Sequence, residues 1–193
     1  MANFKPAFDL TMGHEGGYSN DPDDSGGETY RGIARNFHPA WEGWKILDQY
    51  VIKDNAALLK DVRLNKLVET FYKAEFWDKF KGDEIPSSLL ANELFDTGIN
   101  TGIQDGIEFL QIGLNVLNRN QALYADMAVD GIFGTATMIN LKTYLKTDPD
   151  VLLYKVMNVL QGKHYIDIML KKGSQEKYAR GWFNRVEISK GGK

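Results

Sequence analysis

Apolar residues recur along almost the whole chain at the 3.6-residue period of a helix, and no stretch keeps the strict alternation of a strand. Phe4, Ala7, Phe8, Thr11 and Met12 share one face, as do Leu64, Leu67, Val68, Phe71, Tyr72 and Phe76. Ile103, Ile107, Leu110, Leu114 and Leu117 form a third stripe. Punctuation agrees with this period. Asp54 can cap a helix, Ser87 or Ser88 can open one over residues 90–99, and Gly82 and Ile85-Pro86 interrupt the pattern. Thr135 is placed to cap a helix through Met138, Leu141 and Leu145. Asp148 with Pro149 opens a long helix through Leu170, Gly173 stops it, and Ser174 caps the last. Roughly six to eight helices with short connections make an all-α protein, with room for a small β-hairpin in one Gly/Asp-rich loop.

A chain of 193 residues buries a real core as one domain or as two small packed ones. It has no cysteine, which removes disulfides, thiolate catalysis and the common structural zinc sites. Its three histidines are scattered, so no metal or cofactor is expected. The net charge of −3 argues against nucleic acid and supplies no polybasic membrane patch. No window is apolar and long enough to span a bilayer. The N-terminal Met1-Ala2-Asn3-Phe4-Lys5-Pro6 does not read as a secretory signal. The expectation is a monomer made in the cytoplasm that reaches any cell-wall substrate by another export route or by lysis.

Glu15 falls in phase with the buried face of the first helix, one turn after Thr11 and Met12, and Gly16-Gly17 supplies the stop expected beyond a helix C-terminus. A carboxylate there meets the negative end of the helix dipole and loses solvent, and both effects raise its pKa. That is what a general acid requires. Asp24 follows nine residues later and Thr29 five after that, on a loop rich in Gly and Asp. An acid at a helix end, then a second carboxylate and a hydroxyl, can close around a glycosidic bond and a water. Asp21-x-Asp23-x-Ser25-Gly26 also begins like a calcium loop, but its twelfth position is Gly32, so the bidentate carboxylate is missing. His14 reads as a surface or packing residue.

The run Glu15-Gly16-Gly17-Tyr18-Ser19-Asn20-Asp21-Pro22-Asp23-Asp24-Ser25-Gly26-Gly27, continued by Thr29, Gly32 and Ile33, resembles the signature of glycoside hydrolase family 108, bacterial and phage N-acetylmuramidases also described as secretion activators. More distantly, Glu15, Asp24 and Thr29 resemble the Glu, Asp and Thr of phage-type lysozymes. Here the gap between Asp24 and Thr29 is one residue shorter, and Asp21 and Asp23 stand as alternatives for the second carboxylate. The resemblance implies a lysozyme-like helical fold that cuts the β-1,4 bond between N-acetylmuramic acid and N-acetylglucosamine. Glu15 would protonate the leaving oxygen, Asp24 orient the water or stabilise positive charge, and Thr29 hold that water. It also implies substrate contacts from Tyr18, Asn20 and Tyr30.

Asn92, Asp96 and Asn100 step by four along one helix, and these short polar groups suit a cleft wall, so Asp96 and Asn100 join the candidate substrate contacts. Trp41 and Trp44 share a helical face; one reads as core, the other as core or a sugar-stacking wall. Val129-Asp130-Gly131-Ile132-Phe133-Gly134-Thr135-Ala136-Thr137 resembles the turn of helical peptidoglycan-binding modules, and Gly181-Trp182 with Arg185 resembles the closing motif of the same family. The division implied is residues 1–90 as the muramidase part and 91–193 as a type-3 peptidoglycan-binding part packed on it, with glycan strands as the partner. The rival readings are a lytic transglycosylase and a non-catalytic wall-binding or secretion-accessory protein.

Overall fold

The computed structural model describes residues 1–12, 16–21 and 26–187. The chain divides into two compact units, Phe4–Trp77 and a second that gathers residues 1–3 with residue 78 onward. Among the described residues it is mostly α-helical, with one small three-stranded sheet.

In the first unit, α1 (Phe4–Met12) buries Phe4, Ala7, Phe8, Thr11 and Met12, the face its period specifies. Phe4 meets Phe8 at 5.5 Å and Trp77 edge-on at 5.7 Å, while Phe8 meets Tyr72 at 6.0 Å. The antiparallel sheet holds β1 (Tyr18–Ser19), β2 (Thr29–Tyr30) and β3 (Ile33–Ala34) in that order. Tyr18 pairs with Tyr30, and Tyr30 with Ile33. Arg31 (φ 47°) and Gly32 (φ 80°) link β2 to β3. Two left-handed residues in a two-residue loop match the right-handed twist of the strands. At Gly32 space decides as well, because a Cβ would lie 2.5 Å from the Tyr72 hydroxyl.

Three helices complete this unit: α2 (Gly43–Leu47), α3 (Asn55–Leu58) and α4 (Val62–Glu75). Asp54 caps α3 by accepting from the backbone N–H of Ala56 and Ala57, and Asp61 caps α4 through Arg63 and Leu64. Leu64, Val68 and Tyr72 face the core from α4. Trp44 is buried and Trp41 half-buried against it, their rings edge-to-face at 5.1 Å.

The second unit is built on α5 (Ser88–Thr101), α6 (Ile103–Val116), α7 (Thr135–Tyr144) and α8 (Asp150–Lys171). It ends in a 3-10 helix (Gly173–Tyr178) and α9 (Ala179–Phe183). The helices α5, α6 and α8 pack on one another around Leu90, Leu94, Phe95, Ile107, Leu110, Leu114, Leu153 and Met157. A Cβ on Gly113 would fall 2.6 Å from Leu153 Cδ1, so the missing side chain is what lets α6 lie against α8.

Ser87 caps α5, its hydroxyl accepting from the Leu90 N–H. Other caps differ from the sequence expectation. Gly134 holds the cap position of α7 and Thr135 is already inside the helix. Pro149 holds the cap position of α8, one residue later than expected, because Asp148 instead pairs with Arg119 at 2.8 Å. Ser174 lies within the 3-10 helix rather than opening α9.

The 126–134 loop is organised by α6. Gln111 accepts from the N–H groups of Asp130 and Gly131, both at 3.0 Å, and donates to Asp130 Oδ1 at 2.8 Å and the Ile132 carbonyl at 3.1 Å. One turn on, Asn115 accepts from the Met127 N–H at 3.0 Å and donates to the Met127 carbonyl at 2.8 Å. Two amides on one helix row thus satisfy a loop that has no ladder of its own.

Candidate functional site

In chain order the segment that carries Asp24 joins β1 to β2 of the first unit's sheet. Tyr18 lies on its near side, and Glu28 with Thr29 on its far side. Glu28 Oε1 accepts from the Tyr18 hydroxyl at 2.5 Å and from Lys53 Nζ at 2.6 Å, while Oε2 pairs with Arg35 Nε at 2.8 Å. Arg35 reaches on to Asp48 and lies over the Trp44 ring at 4.6 Å. Lys53 lies 4.8 Å from the Tyr18 ring centroid. The ammonium of Lys53 and the hydroxyl of Tyr18 hold the Glu28 carboxyl below its ordinary range. Burial, then the hydrogen bond to Glu28, push the Tyr18 hydroxyl up. Glu28 is therefore a fixed anion, unsuited to proton donation and suited to tying together the two sides of the loop.

Backbone contacts reinforce this tie. Gly26 and Glu28 carbonyls accept from the N–H groups of Asn36 (3.1 Å) and Arg35 (2.8 Å). The Asn55 side chain accepts from the Tyr18 N–H at 2.5 Å and donates to the Tyr18 carbonyl at 3.2 Å, the role a neighbouring strand would play. Gly17 is required by that approach: a Cβ there would lie 2.2 Å from Asn55 Oδ1. Arg31 donates through Nη2 to the Met12 carbonyl at 3.2 Å, neutralising one of the open carbonyls at the described end of α1, and its own N–H donates to the Gly17 carbonyl at 3.0 Å. In chain order Glu15 comes three residues after Met12.

Glu15, Asp24 and the alternative Asp23 lie outside the described residues, as does His14. Thr29 is half-buried, and its hydroxyl donates to the Gly27 carbonyl at 3.2 Å. Asn20 and Asp21 are exposed. Tyr30 is corrected from a substrate contact to a core residue: it is fully buried, its hydroxyl donates to the Leu58 carbonyl at 3.0 Å, and no face of it is open to a ligand.

Asp96 and Asn100 belong to α5, in the second unit. Arg185 Nη1 donates to Asp96 Oδ1 at 3.0 Å, and Asn100 Nδ2 donates to the Asp96 carbonyl at 2.7 Å and carboxylate at 3.2 Å. The polar stripe expected from the spacing is thus internally bonded and tied to the C-terminal segment. Beside it sits Glu93, only 7% exposed, which accepts from the Thr97 hydroxyl at 3.3 Å. Burial, with the neighbouring Asp96 charge adding to it, pushes the Glu93 carboxyl up to about 8. Among the described residues no group of three His, Cys, Asp or Glu side chains is disposed to hold a metal.

Sequence reasoning passed over Glu28, Lys53, Asn55 and Arg31. Of these only Arg31 carried a local signal, the Arg-Gly pair between two short β-prone stretches.

The glycosyl hydrolase 108 family model matches residues 8–102, and a predicted peptidoglycan domain matches residues 106–187. The two matches lie side by side along the chain, the glycosyl hydrolase 108 match first and the match to a predicted peptidoglycan domain after it. Among solved structures, SagA of Brucella abortus is similar over 95% of this chain and 88% of that one, at 23% identity and a TM-score of 0.63. The fold is the mostly helical, lysozyme-like one. No curated protein matches the sequence. A glycosyl hydrolase region beside a peptidoglycan domain gives the chain a peptidoglycan-related hydrolase or binding role. No helix among the described residues is long and apolar enough to cross a membrane.

Proposed function

We propose that this protein is an N-acetylmuramidase that hydrolyses the β-1,4 bond between N-acetylmuramic acid and N-acetylglucosamine in peptidoglycan, with Glu15 as general acid. The observation that carries the reading is the match of residues 8–102 to a glycosyl hydrolase family over the stretch that contains Glu15 and its Gly/Asp loop. The geometry around that stretch supports it. Glu28 is held ionised by two donors, Tyr18 and Lys53, and by its ion pair with Arg35, which leaves the proton-donor role to a different carboxylate. By its spacing in the sequence Glu15 is expected at the last turn of the first helix, where the helix dipole opposes a charge and favours the protonated acid. Asp24 orients the attacking water or stabilises the developing cation, and Thr29 holds that water. The protein acts as a monomer on wall glycan strands.

The test follows the clearing of purified insoluble peptidoglycan together with mass spectrometry of the released sugar ends. Wild-type protein should release reducing N-acetylmuramic acid ends. Glu15→Gln should lower turnover by on the order of 10³-fold, and Asp24→Asn by about 10²-fold, while binding to the wall persists. Anhydro ends would assign transglycosylase chemistry. Clearing by Glu15→Gln at the wild-type rate, or none by the wild type, would remove the enzyme reading and leave wall binding.

A further inference from the structure

The second unit ends in an aromatic feature that the proposed chemistry does not use. Neither the 3-10 helix Gly173–Tyr178 nor α9 contains a buried residue, yet together they carry Tyr178, Trp182 and Phe183. Tyr165, buried on α8, stacks on Trp182 with ring centroids 5.1 Å apart and planes 25° apart. Trp182 in turn stacks on Tyr178 at 5.8 Å and 28°. The result is a column of three near-parallel rings that begins in the core and ends at Tyr178, which is 46% exposed. Stacking on a ring anchored at 2% exposure fixes the outer rings before any ligand arrives, so little conformational freedom is left to lose on binding.

Basic residues outnumber acidic ones in the sequence around the column. Lys163, Lys171, Lys172, Lys177, Arg180 and Arg185 stand against Asp167 and Glu176 in this stretch of a chain whose net charge is −3. Two of the cations have acidic partners, Lys163 with Asp167 and Arg185 with Asp96. Lys172, Lys177 and Arg180 form no salt bridge among the described residues. Lys177 holds its ammonium 4.8 Å from the Tyr178 ring centroid. Aromatic surface suits the C–H face of a pyranose ring, and cations without an acidic partner suit an anionic substituent. Peptidoglycan offers both groups, a sugar ring and the carboxylates of its stem peptide.

We propose that Tyr178, backed by Trp182 and carrying the Lys177 ammonium over its ring, is a glycan-contacting patch of the peptidoglycan domain, taking a sugar against the exposed part of the tyrosine and stem-peptide carboxylates on Lys177 and on the exposed Arg180 two residues along the chain. This rests on the peptidoglycan reading of residues 106–187. The experiment is co-sedimentation of the full chain with purified insoluble peptidoglycan in the cold, over a series of salt concentrations. Tyr178→Ala should weaken binding by about tenfold, the scale of one well-placed aromatic contact, while Tyr178→Phe retains it. Lys177→Gln combined with Arg180→Gln, at two exposed positions that support no packing, should weaken binding at low salt and flatten its salt dependence. If the wild type sediments and both the alanine and the double variant sediment equally well, the patch is overturned while wall binding stands. A wild type that does not sediment at all overturns the patch and the wall-binding reading together.

Discussion

Glu93 is the residue at which the folded state works hardest against its own chemistry. It lies on α5 beside Leu90 and Leu94, with Asp96 and Thr97 on its own helix, Tyr154, Asn158 and Tyr165 facing it from α8, and Glu187 from the C-terminal segment. Its carboxyl is raised from 4.5 to about 8, so the folded protein keeps a proton that the unfolded chain releases. A raised folded pKa gives a stabilisation that is complete below the unfolded value of 4.5 and is lost as pH climbs through about 8. At roughly 1.4 kcal/mol per unit of pKa, the full swing is a few kcal/mol. Glu93→Gln keeps the shape and never ionises. Melting curves from about pH 4 to pH 9 should therefore show the wild type losing ground to the variant as pH rises, with the two nearest at the acid end. Parallel curves would mean that Glu93 is solvated after all. Nothing local announces this residue, since a glutamate in helical phase with leucines looks the same whether the face beneath it is dry or wet. Tyr30 misled in the opposite sense: placed in a loop motif by sequence, it is a core residue because the chain turns back at Arg31-Gly32 and folds it inward.

At the scale of elements, the helices were legible and their ends were less so. A 3.6-residue period survives any tertiary arrangement, so the buried faces of α1, α4 and α6 agree with their spacing. Caps depend on which neighbour competes for the side chain. Asp148 could have capped α8, but Arg119 and Thr147 engage it, and Pro149 takes the position. The clamp around Glu28 was invisible for a related reason, because Lys53 lies 25 residues away along the chain. Glu28→Gln preserves the side chain's shape but leaves Lys53 and Arg35 without their shared anion. The expected result is a loss of about 1–3 kcal/mol, the cost of stripping one partner from a part-buried charged pair. Peptidoglycan clearing should fall further than stability alone explains, since the loop's two ends are then less firmly held. A urea midpoint and a clearing rate both at the wild-type level would show that the clamp is ornamental.

For the whole molecule, motif boundaries and packing boundaries do not coincide. The hydrolase family model runs to residue 102, and the expected division near residue 90 falls inside α5, whereas the compact units separate after Trp77. Motifs mark where a resemblance ends; packing marks where apolar faces find partners. The α5 helix buries Leu90, Ala91, Leu94 and Phe95, and its packing partners within its own unit are α6 and α8. A chain cut at residue 102 retains α5 and loses both. Returning the large side chains among these to water costs about 1.5–3 kcal/mol each, a sum comparable with the 5–15 kcal/mol that hold an ordinary domain together. A fragment of residues 1–102 should therefore carry an unfolded or aggregating α5, bind a hydrophobic dye, and fail to clear peptidoglycan at the rate of the full chain, although it contains Glu15, Asp24 and Thr29. Calorimetry and light scattering on that fragment decide the matter. A soluble fragment with a single cooperative melt and full clearing activity would show that α5 needs neither α6 nor α8, and that the family boundary is also a folding boundary.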